Sequence, residues 1–282
     1  MLRRILGGGD EAIARNKRPQ ERADELDEPP LEGLDWLRRR PGPQAPWLYR
    51  VLMALAGLFP FRISALHTRV QGRELLPDGG YVAVCALHRS WIDPLLLIRA
   101  LPLEPRVWFM GSGPTAFDRP WKERMLRRTG GMLPVWRGGT DIAVHVRAAN
   151  AVIEEGAVLG LFAEGAVGGP ADAPARMRHG ASLLCLRTGA PIVPVAICGA
   201  EELYRGKRIS VRILPPTSAQ ELLGDTWKGR PEPGTRDELR VARAMTKAIT
   251  EQISAALVED YPGTVDPPEM KRHWPWLTRL MR

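Results

Sequence analysis

A histidine and an aspartate five residues apart, His88 and Asp93, have the side chains and the spacing for acid–base chemistry. The apolar run 81–87 predicts a buried strand before the histidine, and the apolar run after Pro94 predicts a helix. A histidine at a strand end can act as a general base, and a carboxylate in the next turn can orient its ring. Asp93 also suits the N-cap of the helix, with Pro94 as its first residue. On these residues alone, a structural role is an alternative to catalysis.

Two other predicted strands also end in polar residues. The predicted strand 132–136 is followed by Arg137, and the predicted strand 157–162 leads to Glu164 and Gly165. Ligands of α/β proteins bind at the carboxyl ends of strands. A base, a cation and a carboxylate at three neighbouring strand ends therefore indicate one site. The alternatives are a surface arginine beside two glycines, and a glutamate that pairs with a nearby arginine.

Strands and helices alternate along most of the chain, which predicts an α/β sheet covered by helices on both faces. The predicted strands are residues 67–72, 81–87, 106–110, 132–136, 157–162, 191–198 and 208–214. Helices are predicted from Asp93 onward, over 120–129, from Thr140 to Gly156, over 177–187, and from Thr235 to Leu257. Thr235 and Glu238 match a capping box, and residues 215–234 are predicted to form an irregular loop.

The chain has 282 residues, a net charge of +8 and an isoelectric point of about 9.8, which favours an anionic partner. Nucleic acid, an anionic membrane surface and an acidic carrier or cofactor all fit that charge. We do not expect nucleic acid, because no RNA- or DNA-binding motif is present. The three cysteines are odd in number and lie in apolar segments, so they fit a reducing cytoplasm rather than a disulfide framework. No pair of them has the spacing of metal ligands.

Changes in composition divide the chain into four parts. Residues 1–45 are dense in charge, Gly and Pro, which is typical of a disordered arm. Residues 46–66 carry apolar residues at helical spacing and predict an amphipathic helix, which either lies on a membrane or caps the core. Residues 67–260 are the main domain, and residues 261–282 are a basic tail that contains tryptophan.

The tail and the 46–66 segment both have features of membrane-surface segments. Trp274 and Trp276 lie among Lys and Arg residues, and tryptophan favours the headgroup level of a bilayer while basic residues are attracted to anionic lipid. The longest uncharged apolar run near the N-terminus, 51–61, is shorter than the about 20 residues that span a bilayer. We therefore expect a peripheral or monotopic protein on the cytoplasmic face of the cell membrane.

Four short blocks occur in order along the chain. They are Leu-His-Arg-Ser-Trp-Ile-Asp at 87–93, Gly-Met-Leu-Pro-Val-Trp-Arg at 131–137, Phe-Ala-Glu-Gly-Ala-Val-Gly at 162–168 and Pro-Ile-Val-Pro-Val-Ala at 191–196. In these blocks the chain resembles the glycerolipid acyltransferases, of which 1-acylglycerol-3-phosphate acyltransferase is the commonest member. The family carries His-x-x-x-x-Asp, Gly-x-x-x-Val-x-Arg, Phe-Pro-Glu-Gly-Thr-Arg-Ser and Pro-Ile-Val-Pro-Val-Ala. The resemblance covers about residues 70–215 and implies a mixed, mainly parallel sheet.

The resemblance also implies a reaction and roles for the site residues. His88 would take the proton of a hydroxyl on a lysophospholipid or related glycerolipid, and Asp93 would orient the ring and stabilise the imidazolium. The hydroxyl oxygen would attack a fatty acyl thioester, so that acyl-CoA or acidic acyl carrier protein is the co-substrate and neither a metal nor a redox cofactor is needed. Arg137 would bind phosphate and Glu164 would orient the acceptor. The expected substrate-binding residues are Ser90, Arg137, Glu164 and Gly165.

The third block departs from the family pattern. Ala166 and Val167 stand where the family has Thr and Arg, residues that are associated with binding the phosphate of the acceptor. Either another cation takes that role, from Arg176, Arg178 and Arg187, or the acceptor is not lysophosphatidic acid. A non-catalytic lipid-binding or scaffold protein on a degenerate acyltransferase fold is the alternative function.

Overall fold

Seven strands form one mixed sheet. The structure is a computed structural model and describes residues 47–57, 62, 65–86, 88–90, 92–112, 120–121, 124, 131–135, 142–165, 174 and 176–272. The strands are β1 (His67–Gln71), β2 (Val82–Ala86), β3 (Val107–Ser112), β4 (Met132–Val135), β5 (Val158–Phe162), β6 (Ile192–Cys198) and β7 (Arg208–Ile213). They lie in the order β1-β7-β6-β2-β5-β3-β4. Strands β6, β2, β5, β3 and β4 run parallel, whereas β7 is antiparallel to β6 and parallel to β1. The predicted mixed, mainly parallel sheet is confirmed.

Helices cover both faces of this sheet, as predicted. They are α1 (Trp47–Gly57), α2 (Asp93–Ala100), α3 (Ile142–Glu154), α4 (Gly180–Thr188), α5 (Ala219–Leu223) and α6 (Arg236–Asp260). Successive side chains of a strand point to opposite faces. In β2, Val82 and Val84 pack in the cluster that contains residues of α3, α4 and α6, whereas Ala83 and Cys85 pack in the cluster that contains residues of α2. The central strand is therefore buried on both sides, as parallel sheets require.

Two local predictions are wrong at their boundaries, and a third is not tested. Strand β3 continues to Ser112, past the break predicted at Gly111, because both residues pair with β4. Helix α4 begins at Gly180 rather than at Met177. The backbone N–H of Arg178 instead donates to the carbonyl of Ala163, 2.7 Å away. Most of the predicted helix over 120–129 lies outside the described residues.

The prediction of an irregular loop over 215–234 is also wrong in part, because α5 and a 3₁₀ turn (Gly224–Thr226) form there. A capping box starts α5. The hydroxyl of Ser218 accepts from the N–H of Glu221 at 3.2 Å, and the Glu221 carboxylate accepts from the N–H of Ser218 at 2.7 Å. This pair of bonds satisfies two N–H groups that a short helix otherwise leaves unpaired.

The C-terminal residues that the structure describes, up to Arg272, pack against the start of β7. Lys207 donates to the carbonyl of Thr264 at 2.7 Å. Asp266 accepts from the Tyr204 hydroxyl at 2.7 Å and from Arg208 Nε at 2.6 Å. Burial by itself raises the pKa of Asp266, but these hydrogen bonds outweigh it and hold the pKa below its ordinary value. Trp274 and Trp276 lie outside the described residues.

Helix α6 begins at an ion pair between the buried Glu238 and the half-buried Arg187. The Thr235 hydroxyl accepts from the N–H of Glu238 at 3.2 Å, so the predicted cap is confirmed. The Glu238 carboxylate does not complete a capping box. It accepts from the N–H of Gly234 at 2.7 Å and from Arg187 Nε and Nη2 of α4 at 2.7 and 2.8 Å. The hydrogen bonds from Arg187 hold the pKa of Glu238 below its ordinary value, against the opposing effect of burial.

We expect Glu238→Gln to lower the free energy of unfolding at pH 7 by about 2 kcal/mol, since hydrogen bonds to buried charged groups are worth about that much. A depressed carboxyl pKa stabilises the fold above the ordinary value of 4.5 and loses that effect as the pH falls through the lower value of the folded state. The difference in the free energy of unfolding between the wild type and the variant should therefore be constant above about pH 5 and shrink below it. Denaturant titrations at several pH values measure this. The exposed pair Arg240–Asp237 is the control, and Arg240→Gln should cost less than about 1 kcal/mol.

Candidate active site

The predicted base and the predicted carboxylate lie at adjacent strand ends. The five parallel strands all end at one edge of the sheet, which we call the carboxyl edge. Strand β2 ends two residues before His88, and β5 ends two residues before Glu164. Because β2 and β5 are hydrogen-bonded neighbours, residues that are 76 apart in sequence meet at this edge.

His88 and Asp93 form a hydrogen-bonded pair. The distance between His88 Nδ1 and Asp93 Oδ2 is 2.9 Å. The same oxygen also accepts the backbone N–H groups of Arg89 and Ser90, at 2.7 and 2.8 Å. An oxygen that already accepts two N–H groups acts as an acceptor, so Nδ1 of the histidine carries the proton. The other ring nitrogen, Nε2, makes no hydrogen bond to a described residue, and the side chain is 17% exposed. A substrate hydroxyl can therefore reach it.

Asp93 is fully buried, and its second oxygen, Oδ1, has no hydrogen-bond partner among the described residues. Burial raises the pKa of this carboxyl above its ordinary value, while the hydrogen bonds from His88, Ser90 and Arg89 oppose that shift. A proton that arrives at His88 places a positive charge beside the buried carboxylate. This charge offsets part of the cost of burying Asp93, so the carboxylate can stabilise an imidazolium that forms during proton transfer.

The expectation that Asp93 caps the following helix is wrong. Asp93 is itself the first residue of α2, Ile92 is at the N-cap position, and Pro94 follows within the first turn. The carboxylate points back to residues 88–90 instead of to the N–H groups of the helix. Its negative charge in the first turn is still favourable to the helix dipole.

Glu164 contacts the residues around the base. Its Oε2 atom accepts from the backbone N–H of His88 at 3.2 Å and from Arg89 Nη1 at 3.0 Å. Both side chains of the Arg89–Glu164 pair are buried. The geometry therefore fits the alternative interpretation of Glu164, which is a carboxylate paired with a nearby arginine. Gly165 follows with a φ of +70°, and its N–H donates to the carbonyl of Phe162 at 3.0 Å. Glycine is favoured there because side chains strain that backbone conformation.

An aromatic ring supports the histidine. Phe162 stacks on His88 with ring centroids 4.2 Å apart and planes inclined by 22°. Phe109 stacks on Phe162 in turn, at 6.3 Å. An added Cβ at Gly160 would lie 2.8 Å from the Phe109 ring, so the glycine makes room for it. The sequence motifs contain Phe162, but they do not show that it contacts the base.

The remaining predicted site residues have different outcomes. Ser90 is buried, and its hydroxyl has no hydrogen-bond partner among the described residues, while its N–H binds Asp93.

Arg137 lies outside the described residues. The strand before it, β4, is the edge strand, and β5 and β3 separate it from β2. At a strand spacing of about 4.8 Å, the end of β4 is about 14 Å from the end of β2. The expectation of three neighbouring strand ends is thus right for β2 and β5 and wrong for β4.

The three candidate replacements for the missing arginine are not equivalent. Arg187 lies near the end of α4, directly before β6, and so at the edge of the sheet opposite the carboxyl edge. Its side chain is bound to Glu238. Arg176 and Arg178 are exposed, and the Arg178 N–H binds Ala163 at the end of β5. Of the three candidates, only Arg176 and Arg178 lie on a segment at the carboxyl edge.

Comparisons with known proteins agree with this geometry. A family model described as Acyltransferase matches residues 67–198, a range that contains all four blocks. Residues 67–198 therefore form an acyltransferase domain, and with the four blocks they support a glycerolipid acyltransferase family. Its structure is similar to that of the 1-acyl-sn-glycerophosphate (LPA) acyltransferase PlsC from Thermotoga maritima, with a TM-score of 0.54 and 17% identity. The similarity covers 90% of this chain and 87% of that chain, and at this identity it shows the shared fold.

The described part of this acyltransferase contains no group of three His, Cys, Asp or Glu side chains placed to hold a metal ion. What the site does present is a histidine that is 17% exposed and whose Nδ1–H is bound to a buried carboxylate. Such a pair can remove the proton of a hydroxyl and return it to a leaving group.

We expect Asp93→Asn to lower kcat by about 100-fold or more, in the range of about 10²–10⁴ that a positioned base supplies. The amide oxygen can accept the same three hydrogen bonds, but the charge that stabilises the imidazolium is lost. Because the pKa of Asp93 is raised, its ionised form opposes folding at neutral pH. The variant should therefore unfold at the same or a higher denaturant concentration than the wild type.

Asp266→Asn is the matched control, since Asp266 is also buried but has a lowered pKa. This substitution should reduce the free energy of unfolding above the ordinary carboxyl pKa of 3.8 and leave kcat unchanged. Equal losses of kcat in the two variants would contradict the role assigned to Asp93.

Proposed function

We propose that the chain transfers a fatty acyl group from acyl-CoA or acyl carrier protein to a hydroxyl of a lysophospholipid, as a step of phospholipid biosynthesis. The observation that carries the proposal is the His88–Asp93 pair, at the carboxyl edge of a sheet that belongs to this family. The lysophosphatidic acid activity named for the similar Thermotoga maritima protein supports the substrate class.

The chemistry needs only the residues of this pair and the two substrates. Nε2 of His88 takes the proton of the acceptor hydroxyl while the oxygen attacks the thioester carbon. The C–S bond of the tetrahedral intermediate then breaks, and the imidazolium protonates the leaving thiolate. Asp93 keeps the proton on Nδ1 and stabilises the imidazolium between these steps. The transfer changes no oxidation state, so it needs no redox cofactor, and the proposed steps use no metal ion.

For the acceptor phosphate, we propose Arg178 as the cation that replaces the arginine missing at position 167. Arg178 is exposed, makes no ion pair with a described residue, and is attached through its N–H to the end of β5. Glu164 follows that strand end directly. Hydrogen bonds between a guanidinium and a phosphate are charge-assisted and are worth about 1.5–3 kcal/mol.

Thiol release from acyl-CoA and acyl carrier protein, measured with a panel of phosphorylated and unphosphorylated lysolipids, tests this function. We expect release that falls by about 100-fold or more in His88→Ala. Arg178→Met should raise KM by about tenfold for phosphorylated acceptors, the equivalent of about 1.4 kcal/mol. It should leave KM for monoacylglycerol unchanged. Arg240→Met, which removes an exposed arginine of α6, is the control and should change neither constant.

Absence of His88-dependent thiol release with every acceptor would contradict the proposed enzyme. It would favour the second candidate, a non-catalytic lipid-binding protein, which the replacement of the family's Thr and Arg by Ala166 and Val167 supports. That candidate predicts lysolipid binding without acyl transfer, and an unchanged cellular lipid composition in a strain that carries His88→Ala.

We further propose that α1 places the protein on the cytoplasmic face of an anionic membrane. In the part of the chain that the structure describes, no helix is long and apolar enough to cross a bilayer. Helix α1 buries Tyr49 and contacts α2, yet Trp47, Val51 and Leu55 are 74%, 45% and 60% exposed. Residues four apart lie on one side of a helix, so these three form an apolar stripe. Such a stripe on a basic protein suits an anionic lipid surface.

The double substitution Trp47→Ser and Leu55→Ser should weaken co-sedimentation with anionic liposomes by at least about tenfold, since burying one such side chain is worth about 1.5–3 kcal/mol. Val258→Ser is the control, because Val258 is a 74% exposed apolar residue of α6, on the other face of the sheet. Equal binding by the wild type and the double variant would show that α1 does not contact the membrane.

A further inference from the structure

We infer that Arg89 is a positioning residue for the base, and that Glu164 acts with it to hold His88 rather than to orient the acceptor. Arg89 stands at a variable position of the His-x-x-x-x-Asp motif, so the motif assigns it no role. The inference rests on the proposed acyl transfer for its kinetic consequences, and on the geometry of residues 88–90 for everything else.

Two carboxylates from different elements hold three consecutive N–H groups. Glu164, which follows β5, accepts the N–H of His88 at 3.2 Å. Asp93, the first residue of α2, accepts the N–H groups of Arg89 and Ser90 at 2.7 and 2.8 Å. The backbone of residues 88–90 is therefore fixed from both sides. Since the histidine ring is attached to this backbone, the position of Nε2 depends on both carboxylates.

The Arg89 side chain is what makes the Glu164 contact stable. Its Nη1 atom lies 3.0 Å from the same Oε2 atom that accepts the His88 N–H. The two side chains are only 4% and 3% exposed. A buried carboxylate without a compensating charge is strongly unfavourable, so loss of the guanidinium would drive Glu164 away from this position. The N–H of His88 would then lose its acceptor.

This arrangement also changes the expected role of Glu164. The oxygen nearest the base already accepts two hydrogen bonds within the protein. Its effect on the reaction therefore runs through the placement of His88. A displacement of a catalytic group by about 1 Å can reduce a rate by about 100-fold. Such a loss affects the chemical step and leaves the binding of the acceptor largely unchanged.

The test compares Arg89→Met, Glu164→Gln and the double variant by steady-state kinetics in the full chain. We expect each single variant to lower kcat by about 100-fold with acceptor KM changed by less than about twofold. The double variant should be no slower than the slower single variant, because both remove the same contact. Arg89→Lys, which keeps the charge and one donor, should recover part of the lost kcat.

Arg187→Met is the matched control, since Arg187–Glu238 is another arginine–glutamate pair with a buried carboxylate and lies at the opposite edge of the sheet. It should lower the melting temperature and leave kcat unchanged when measured well below that temperature. If Arg89→Met behaves in the same way as Arg187→Met, the pair has a structural role only and the inference is overturned. The inference is equally overturned if Glu164→Gln raises acceptor KM at constant kcat while Arg89→Met changes neither constant.

A second measurement does not depend on activity. In ¹⁵N-histidine-labelled protein, the Nδ1–H proton of His88, identified by its loss in His88→Asn, reports the hydrogen bond to Asp93. We expect this proton to be protected from exchange with water in the wild type and in Arg187→Met, and to exchange rapidly in Arg89→Met. Unchanged protection in Arg89→Met overturns the positioning role. Absence of thiol release in the wild type, by contrast, bears on the proposed function and not on this result.

Discussion

The site depends on one buried carboxylate. Asp93 has no exposed surface, and a single oxygen of its side chain binds the histidine ring and two backbone N–H groups. Its burial follows from the first turn of α2, where Ile92, Leu96 and Leu97 pack against β2 and its neighbours. The apolar core thus fixes the base indirectly, because a carboxylate in that environment must be hydrogen-bonded. The same burial raises the pKa of Asp93 above its ordinary value, against the opposing hydrogen bonds from His88, Ser90 and Arg89.

The parallel sheet is what brings the second carboxylate to the base. Neighbouring parallel strands end side by side, so the residues after β2 and β5 are within hydrogen-bond distance of each other. The aromatic layer has the same origin, since Phe162 lies at the end of β5, beside β2, and Phe109 lies on β3, the next strand. The histidine is therefore held by contacts from α2 and β5, and β3 supports it through the ring of Phe162. A fixed base needs such support from several elements, because a loop alone is mobile.

The third block illustrates how a family site can change without loss of its base. Ala166 and Val167 stand where the family pattern has Thr and Arg, whereas His88, Asp93 and Glu164 are connected by hydrogen bonds within the protein. The cations next to the carboxyl edge come from the segment before α4, which is anchored to β5 by the Arg178 N–H. The proposed phosphate-binding cation and the proposed base thus lie on separate segments of the same edge.

The sequence by itself determined the α/β class, the approximate positions of the seven strands and the pairing of His88 with Asp93. These features depend on local periodicity and on a spacing of five residues, which a linear pattern records. Only the tertiary structure decided that Arg89 pairs with Glu164, that Phe162 stacks on the histidine, and that β4 lies at the sheet edge. Those outcomes depend on strand order, and strand order is set by contacts between residues far apart in sequence. The capping assignment of Asp93 failed for a related reason: its carboxylate had a choice of N–H donors, and the packing of α2 against the core selected those of the preceding turn.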